Sequence, residues 1–195
     1  MPIKLEGVLT GIFICSDMNP KSFVTIRKYE IEVLDNGLED DRHAGWFRGA
    51  DVRAKHYPKG TRIWNSRQIS IVSEEELKEV AEIIKVSEIK PEWLGANICL
   101  RGVPNLTLLP SRTKIFISDC FGHPDVGFCV TAINKPCVAP GGVIQDQYPD
   151  INGLECRFPK AAHNKRGVVA VVEHSGRIQE GSLVTVWVPD QIIYE

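Results

Sequence analysis

The hydrophobic and polar positions of this chain fall into short segments that predict β-strands. Residues 29–33 alternate polar and apolar side chains, as expected for a strand with one face in a core and the other in solvent. Residues 167–172 are strongly apolar, which favours a central strand. Residues 8–15 are apolar and β-branched, with a bend expected at Gly11. The predicted strands are 8–15, 29–33, 68–72, 98–100, 113–118, 127–133, 167–172 and 183–188.

One segment has the pattern of an amphipathic helix that begins after Ser73. Glu76 follows three positions later, which is the spacing of a capping box. Apolar residues then recur at helical spacing and form one stripe, at Leu77, Val80, Ala81 and Ile84. Residues 148–159 predict a short second helix, and residues 91–97 a turn or a single helical turn. Many strands, few helices and no regular βαβ alternation predict one domain, 1–195, that is mainly β and forms a closed or nearly closed barrel.

Composition and charge narrow the class of protein. The chain of 195 residues has a net charge of −2, so no overall positive field favours nucleic acid or an anionic membrane. No apolar run is long enough to cross a bilayer, and residues 1–6 lack a basic region followed by an apolar core. None of the six cysteines is spaced as Cys-x-x-Cys, which argues against a structural zinc site. We therefore expect a cytoplasmic protein whose cysteines are reduced.

The densest group of chemically active residues lies in residues 37–45, Gly-Leu-Glu-Asp-Asp-Arg-His-Ala-Gly. The flanking glycines permit backbone angles that other residues avoid. Arg42 offers a guanidinium suited to a phosphate or carboxylate, and His43 can donate, accept or bind a metal. A solvated turn rich in aspartate and glycine is the alternative interpretation. Within the motif we expect Asp41 to accept backbone N–H groups and hold the loop in shape.

A second unusual segment, residues 134–142, surrounds Cys137. It follows a predicted strand directly, and Pro136 precedes the thiol while Gly141 and Gly142 follow it. Proline and glycine in this arrangement predict a loop that exposes Cys137 at a strand end. We therefore expect Cys137 to be the most reactive thiol, with Cys120 and Cys156 as its competitors. The others, Cys15, Cys99 and Cys129, lie in apolar strand patterns and are expected to be shielded.

Residues 46–66 have little periodicity and carry six basic or imidazole side chains: Arg48, Arg53, Lys55, His56, Lys59 and Arg62. For most of these charges a solvated loop is the favoured interpretation. A mobile basic lid over an anionic ligand is the alternative, because long irregular loops in compact domains are often functional.

Five short motifs, in order, resemble those of the stand-alone MOSC proteins, a family named after the C-terminal domain of molybdenum-cofactor sulfurases. The motifs are residues 37–45, Arg67-Gln68, Leu94 to Asn97, Pro136-Cys137 and Lys165-Arg166-Gly167. Each motif alone is weak evidence, but five in the expected order are fairly specific. The resemblance covers roughly residues 5 to 189. Two positions depart from the family pattern, which commonly has glycine at Asp40 and glutamate at Ala96.

The resemblance implies a β-barrel like the barrel domain of pyruvate kinase. It also implies binding of the molybdenum cofactor, a pterin dithiolene with a phosphate tail, or handling of its sulfur. Some relatives reduce N-hydroxylated compounds at molybdenum. Pyridoxal phosphate enters only by family association, since the sulfurases use it in a separate domain, and no lysine context here supports a Schiff base.

The motifs assign candidate roles to seven residues. Cys137 is the candidate catalytic residue and metal ligand, because a thiolate is a soft ligand. Arg42, Arg67 and Arg166 are candidates for the phosphate, and we expect their guanidinium groups to converge on one anion site. The Asn97 amide suits a pterin edge. His43 and Lys135, like Arg166, supply positive charge that favours an ionised Cys137.

Three functions remain open at this point. The first is a molybdenum-dependent oxidoreductase in which Cys137 ligates the metal. The second is a sulfur carrier or transferase with a persulfide on Cys137, and the third is a cofactor-binding module without catalysis. The expected partners are a small-molecule cofactor and substrate and a redox or sulfur-donor protein, with no nucleic acid and no membrane.

Overall fold

The structure is a computed structural model that describes residues 3–17, 23–118 and 123–191. The described chain forms three α-helices: α1 (Glu74–Ile84), α2 (Val138–Gln147) and α3 (Leu154–Ala161). Two short 3₁₀ helices span Pro91–Leu94 and Leu106–Leu108. The strands are β1 (Ile3–Ile14), β2 (Ile26–Lys28), β3 (Glu30–Leu34), β4 (Gly37–Leu38), β5 (Phe47–Gly49), β6 (Arg62–Trp64), β7 (Ile69–Ser73), β8 (Ile98–Arg101), β9 (Lys114–Ser118), β10 (Pro124–Ile133), β11 (Val168–His174), β12 (Gly176–Gln179) and β13 (Leu183–Val188).

Seven strands close into a barrel, in the order β13, β9, β10, β11, β7, β8 and β1. The barrel closes where β1 pairs antiparallel with β13, from Ile3 opposite Val188 to Val8 opposite Leu183. Neighbouring strands are antiparallel except β7 and β8, which run parallel. The register of β1 against β8 shifts between Leu9 and Gly11, at the bend expected from the glycine. The prediction of a mainly β fold with a closed barrel is therefore confirmed.

Two apolar clusters hold the fold together. The first fills the barrel with inward-facing aliphatic residues of every barrel strand, among them Leu9, Ile71, Leu100, Ile117, Val130, Ala170 and Val186. The second lies between the barrel and the helices and contains the predicted stripe of α1, together with Leu154 and Phe158 of α3. The stripe thus fixes the helices on the outside of the barrel, because its burial removes apolar surface from water.

At the N terminus of α1, the structure contains one of the two hydrogen bonds of the predicted capping box. Ser73 Oγ accepts a hydrogen bond from the Glu76 N–H at 3.2 Å. The Glu76 carboxylate does not accept a hydrogen bond from the Ser73 N–H. It instead accepts hydrogen bonds from the N–H and the hydroxyl of Thr107, at 2.9 and 2.5 Å. Burial raises the pKa of Glu76 above its usual 4.5, although the Thr107 donors oppose this effect. A residue expected to cap the helix therefore ties it to the chain before β9.

The largest difference from the sequence analysis lies after β10. Residues 134–142 were expected to form a loop, but the loop ends at Cys137 and Gly141 and Gly142 lie inside α2. A Cβ at Gly141 would lie 2.4 Å from the backbone oxygen of Glu155, so this glycine allows α2 and α3 to pack closely. Pro140 occupies the first turn, where its missing N–H leaves no hydrogen bond unmade.

Strand β2 pairs antiparallel with the end of β1 and extends the large sheet, and the other five strands form two smaller sheets. One contains β12, β3 and β4, and the other is the hairpin of β5 and β6. No helix in the described ranges is long and apolar enough to span a membrane. Residues 119–122, which contain Cys120 and most of the predicted hairpin turn, lie outside the described residues.

Candidate functional site

A cavity of about 480 Å³ lies against the outer face of β7 and β11. Ile69, Ile71, Val168 and Ala170 belong to the barrel interior, so the alternation of side chains turns Ser70 and Val169 outward, into the cavity. The walls come from the loop of residues 39–45, the segment of residues 46–66, the turn before β8 and the N terminus of α2. The volume lies in the range of small-molecule sites, roughly 300–1,000 Å³.

All seven residues singled out in the sequence line this cavity: Arg42, His43, Arg67, Asn97, Lys135, Cys137 and Arg166. They come from five separate parts of the chain, which only the folding of the barrel and its loops brings together. The three arginines expected to converge do face the same cavity. Their roles toward a ligand remain predictions, as do those of the other four.

The Asp41 carboxylate accepts the hydrogen bonds that hold the motif loop in shape. Its carboxylate, only 1% exposed, accepts the backbone N–H of Cys15 and of His43, each at 2.8 Å. It also accepts the Asn97 amide and contacts His43 Nδ1, both at 3.0 Å. Burial acts to raise the pKa of Asp41, but these hydrogen bonds and the His43 ring hold it below its usual 3.8. These contacts agree with the structural role expected for Asp41.

The ionised Asp41 also orients His43. A carboxylate without a proton can only accept, so His43 Nδ1–H is the donor in the 3.0 Å contact. The second ring nitrogen, Nε2, is then the one able to accept a proton or a hydrogen bond. The ring is 40% exposed and lines the cavity.

Asn97 has contacts that favour a structural role over the predicted contact with a pterin edge. Its amide N–H groups donate to Phe13 O at 3.2 Å and to Asp41 at 3.0 Å. Its oxygen accepts the Ser70 N–H at 3.0 Å. With both N–H groups engaged inside the protein, Asn97 joins the motif loop to β1 and β7. These contacts support the loop, and the contact of Asn97 with a pterin edge stays a prediction.

Arg166 is buried without an ionic partner. Its Nη2 donates to Leu94 O, and its Nη1 is buried with no hydrogen-bond partner. Burial lowers the pKa of Arg166 to about 10; the Cys137 thiol opposes this effect, and Arg67 and Arg53 reinforce it. Among the described residues, no carboxylate lies within ion-pair distance of Arg166. A buried cation in this condition favours the entry of an anion.

Arg67 is a second poorly compensated cation beside it. Its Nη2 donates to Asn134 Oδ1 at 2.9 Å, and Asn134 in turn donates to Ser70 Oγ at 3.2 Å. Burial lowers the pKa of Arg67 to about 10, with Arg53 and Arg48 as further causes. Asn134 was not identified in the sequence, although it stands three residues before Cys137 in the segment singled out there.

Cys137 is the N-cap residue of α2, with extended backbone angles of φ −142° and ψ 173°. Its half-buried side chain makes no capping hydrogen bond and lines the cavity. The free N–H groups and the dipole of the helix place positive potential at this end. Cys137 thus follows the end of β10, as predicted, and also directly precedes a helix, which the sequence did not indicate.

The other described cysteines lie elsewhere. Cys15 and Cys99 are buried, Cys129 is half-buried and Cys156 is exposed, and these thiols are free. Burial raises the pKa of Cys99 to about 11. No cluster of three or more potential metal-ligating side chains occurs in residues 3–17, 23–118 and 123–191. Cys137 is therefore the one thiol that the described cavity offers to a ligand.

The segment of residues 46–66 is more ordered than the sequence indicated. Strands β5 and β6 pair from Phe47–Trp64 to Gly49–Arg62, and Asn65 ties their base to the motif loop through His43 O and Gly45 O, at 2.8 and 3.0 Å. Phe47, Arg48, Asp51 and Arg53 line the cavity. The solvated-loop interpretation, favoured for most of these charges, does not describe Arg48, which is half-buried in the cavity wall; Arg53 lines the cavity but is exposed, as are Lys55, His56, Lys59 and Arg62.

A family model for the MOSC domain matches residues 39–185, which include the motif loop from Glu39 onward, the hairpin, Cys137 and Arg166. The chain belongs to the MOSC domain family.

This MOSC protein has a relative in Bacillus subtilis (strain 168) that carries the name "Putative metal-sulfur cluster biosynthesis proteins YuaD". The two are 37% identical over 183 residues, which cover 94% of this chain and 91% of the relative. The crystal structure of YuaD from Bacillus subtilis matches with a TM-score of 0.91 at 35% identity, and covers 97% of this chain and 100% of the other.

A more distant structure shares the fold. The crystal structure of YiiM from Escherichia coli gives a TM-score of 0.55 at 12% identity, over 98% of this chain and 71% of the other. The structure also describes the two positions at which this MOSC protein departs from the family pattern. Asp40 adopts φ of +57°, a backbone region that glycine enters without strain. Ala96 is fully buried in the apolar cluster between the barrel and the helices, where a carboxylate would lose its hydration.

Proposed function

We propose that this MOSC protein binds the molybdenum cofactor in the cavity and reduces N-hydroxylated compounds, with Cys137 as the protein ligand of the metal. One observation carries the proposal: a half-buried thiol at a helix N terminus lines the same cavity as a buried guanidinium whose Nη1 lacks a partner. A soft ligand and an anion-binding cation are the two functions that a metal-bearing, phosphate-bearing cofactor requires.

The residues present fit such a group. Arg166 is buried, Arg67 is half-buried, and neither forms an ion pair with a carboxylate among the described residues; a phosphate would satisfy the hydrogen-bonding capacity that Arg166 Nη1 leaves open. Arg42, Arg48 and Arg53 line the same cavity and add to its positive charge. A carboxylate, Asp51, also lines the cavity, but it lies 3.4 Å from Arg48 and 3.0 Å from Arg53 and is compensated by them.

When bound, the cofactor supplies two-electron redox chemistry at molybdenum. The residues of the chain would hold and orient it: Arg166 and Arg67 would bind the anionic tail, and Cys137 would be the protein ligand of the metal. Reduction of an N–OH group to N–H consumes two electrons and two protons and releases one water. His43 Nε2, oriented by the contact of Nδ1 with Asp41, is the group positioned to hold one of those protons.

A sulfur carrier is the second candidate. Its support is that Cys137 is the one cysteine lining the described cavity, so a persulfide formed there has no neighbouring cavity thiol to convert it into a disulfide. The relative YuaD carries a name that refers to metal–sulfur cluster biosynthesis. We do not include pyridoxal phosphate, because its association with the family concerns a separate domain.

The test is elemental and pterin analysis of protein purified from a host that makes the cofactor. We expect molybdenum and oxidisable, fluorescent pterin in the wild type, with dithionite-driven reduction of an N-hydroxylated compound. Cys137→Ser should lose molybdenum and turnover yet unfold at the same urea concentration. Cys156→Ser, an exposed thiol outside the cavity, is the matched control and should retain both.

The other outcomes separate the alternatives. An additional sulfur on Cys137 in a mass spectrum, without molybdenum, favours the sulfur carrier. Bound molybdenum and pterin without turnover favours a cofactor-binding module. If Cys137→Ser retains full molybdenum and turnover, the thiol is not the metal ligand and the proposal is wrong.

A further inference from the structure

The segment of residues 46–66 exposes an unusual number of large apolar side chains. Within it Val52 is 77% exposed, and four aromatic residues are each at least half exposed: Trp46, Phe47, Tyr57 and Trp64. Exposed clusters of apolar side chains on soluble proteins often mark interaction sites, and tryptophan, tyrosine and phenylalanine are enriched at protein interfaces. We call the exposed side chains of residues 46–66 the hairpin surface.

The hairpin surface is also strongly basic. It has five lysines and arginines and one carboxylate, a net charge of +4, whereas the remaining residues of the chain carry −6. The carboxylate, Asp51, pairs with Arg48 and Arg53. In the described part of the chain no carboxylate pairs with Lys55, Lys59 or Arg62, and Arg62 stacks on the Phe47 ring at 3.7 Å. The unpaired charge is therefore available to an acidic partner.

This surface lies beside the cavity. The sheet of β5 and β6 pairs with no other described strand, so it is not part of the barrel sheet. Phe47, Arg48 and Arg53 of the same segment line the cavity that contains Cys137. A protein bound to the hairpin surface would therefore lie next to the site at which the proposed reduction takes place.

We propose that the hairpin surface docks an acidic electron-carrier protein. This inference rests on the proposed function, because reduction of an N–OH group requires two electrons from an external donor. The positive charge selects an acidic partner and accelerates its encounter, and the aromatic side chains bury apolar area against it.

The binding experiment uses two small acidic carriers, an FMN flavodoxin and a [2Fe–2S] ferredoxin, each fluorescently labelled. The test variant Lys55→Glu/Lys59→Glu reverses two exposed charges outside the cavity lining. The matched control Lys78→Glu/Lys160→Glu makes the same change in charge on exposed positions of α1 and α3. We expect one carrier to bind the wild type, Kd to rise about tenfold or more in the test variant, and the control to differ by less than about twofold.

A second variant tests the apolar part. Tyr57→Ser, which does not line the cavity, should also weaken carrier binding, but without changing its dependence on salt. For all variants, turnover with dithionite should equal that of the wild type, because this small reductant needs no docking surface. Absence of turnover with dithionite in the wild type would count against the proposed function, while the carrier-binding result would still decide the docking proposal.

Three results would overturn the docking proposal. The first is equal carrier binding by the wild type and Lys55→Glu/Lys59→Glu. The second is no binding of either carrier, with binding instead to vesicles containing phosphatidylserine, which would assign the surface to an anionic membrane. The third is self-association of the wild type that Lys55→Glu/Lys59→Glu abolishes, in the absence of carrier binding, which would assign it to a second copy of the chain.

Discussion

Asp41 and Arg166 are both buried charged residues beside the same cavity. Hydrogen bonds within the protein compensate the charge of Asp41 but leave that of Arg166 largely uncompensated. Asp41 accepts hydrogen bonds from two backbone N–H groups, the His43 ring and the Asn97 amide. Arg166 donates to one carbonyl and leaves Nη1 without a partner. The pKa of each is lowered, which means that the charged form is stabilised at Asp41 and destabilised at Arg166.

This difference distinguishes a residue that stabilises the fold from a residue that is available to bind a ligand. A charge that is fully compensated inside the protein has no capacity left for a ligand, and its loss damages the fold. A buried charge without compensation reduces the stability of the ligand-free protein. A bound ligand of opposite charge supplies the missing compensation. Four predictions test this division, from the largest expected effect to the smallest.

Replacing Arg166 should separate binding from stability most clearly. Arg166→Met should raise the Kd of inorganic phosphate about 100-fold, equivalent to about 3 kcal/mol, because a buried charged donor is lost. The free energy of unfolding of the ligand-free protein should change by no more than about 1 kcal/mol, since an uncompensated cation is removed. Titration calorimetry and urea unfolding measure the two quantities. Arg177→Gln, on β12 and outside the cavity lining, controls for net charge. A large loss of stability with unchanged phosphate affinity would contradict the assignment.

Replacing Asp41 should have the opposite result. In Asp41→Asn the amide oxygen can accept at most two of the four donors, so at least two of them lose this acceptor, and we expect a loss of about 3 kcal/mol in the free energy of unfolding. The adjacent Asp40→Asn is a close control, because Asp40 is exposed and asparagine tolerates its positive φ. If urea unfolding shows the two variants to be equally stable, the Asp41 network does not hold the loop.

The dependence of stability on pH should distinguish Asp41 from the other buried carboxylate, Glu76. The pKa of Asp41 is lowered below 3.8, so its stabilisation is complete above that pH and is lost as pH falls through the folded pKa. The stability difference between the wild type and Asp41→Asn should therefore narrow in acid.

Glu76 should give the opposite sign. Its pKa is raised above 4.5 by burial, so its contribution to stability declines as pH rises from 4.5 through the folded pKa. Relative to Glu76→Gln, the wild type should lose stability on going from pH 4 to pH 7. Urea unfolding at several pH values checks both variants, and parallel curves for wild type and variants would show that neither carboxylate has the assigned shift.

We expect the smallest effect from replacing Asn134, a neutral residue that orients the Arg67 side chain. Asn134→Ala removes the acceptor 2.9 Å from Arg67 Nη2. Phosphate affinity should fall about fivefold, or about 1 kcal/mol, because the guanidinium remains but loses its orientation. Ser70→Ala, one hydrogen bond further away, should have a still smaller effect on the same calorimetric titration. A loss as large as that of Arg166→Met would show that Arg67 is the main phosphate ligand.

Local pattern was sufficient for most of the fold. Alternation and apolar runs located the barrel strands, and the stripe after Ser73 located α1, because these elements bury side chains at regular intervals. The helix α2 was missed because Pro140, Gly141 and Gly142 are poor helix formers. Its cause is a tertiary contact, the close approach of Gly141 to Glu155, which no local signal contains.

For the site, the sequence by itself singled out seven candidate residues, and all seven line the cavity, Cys137 and Arg166 among them. It did not determine what each residue does there. Whether a charge is compensated depends on donors and acceptors that lie far away in the chain, such as Asn97 for Asp41, 56 positions apart. Only the tertiary structure therefore decided that Asn97 supports the loop, that Arg48 and Arg53 join the cavity, and that Arg166 retains an unpartnered Nη1.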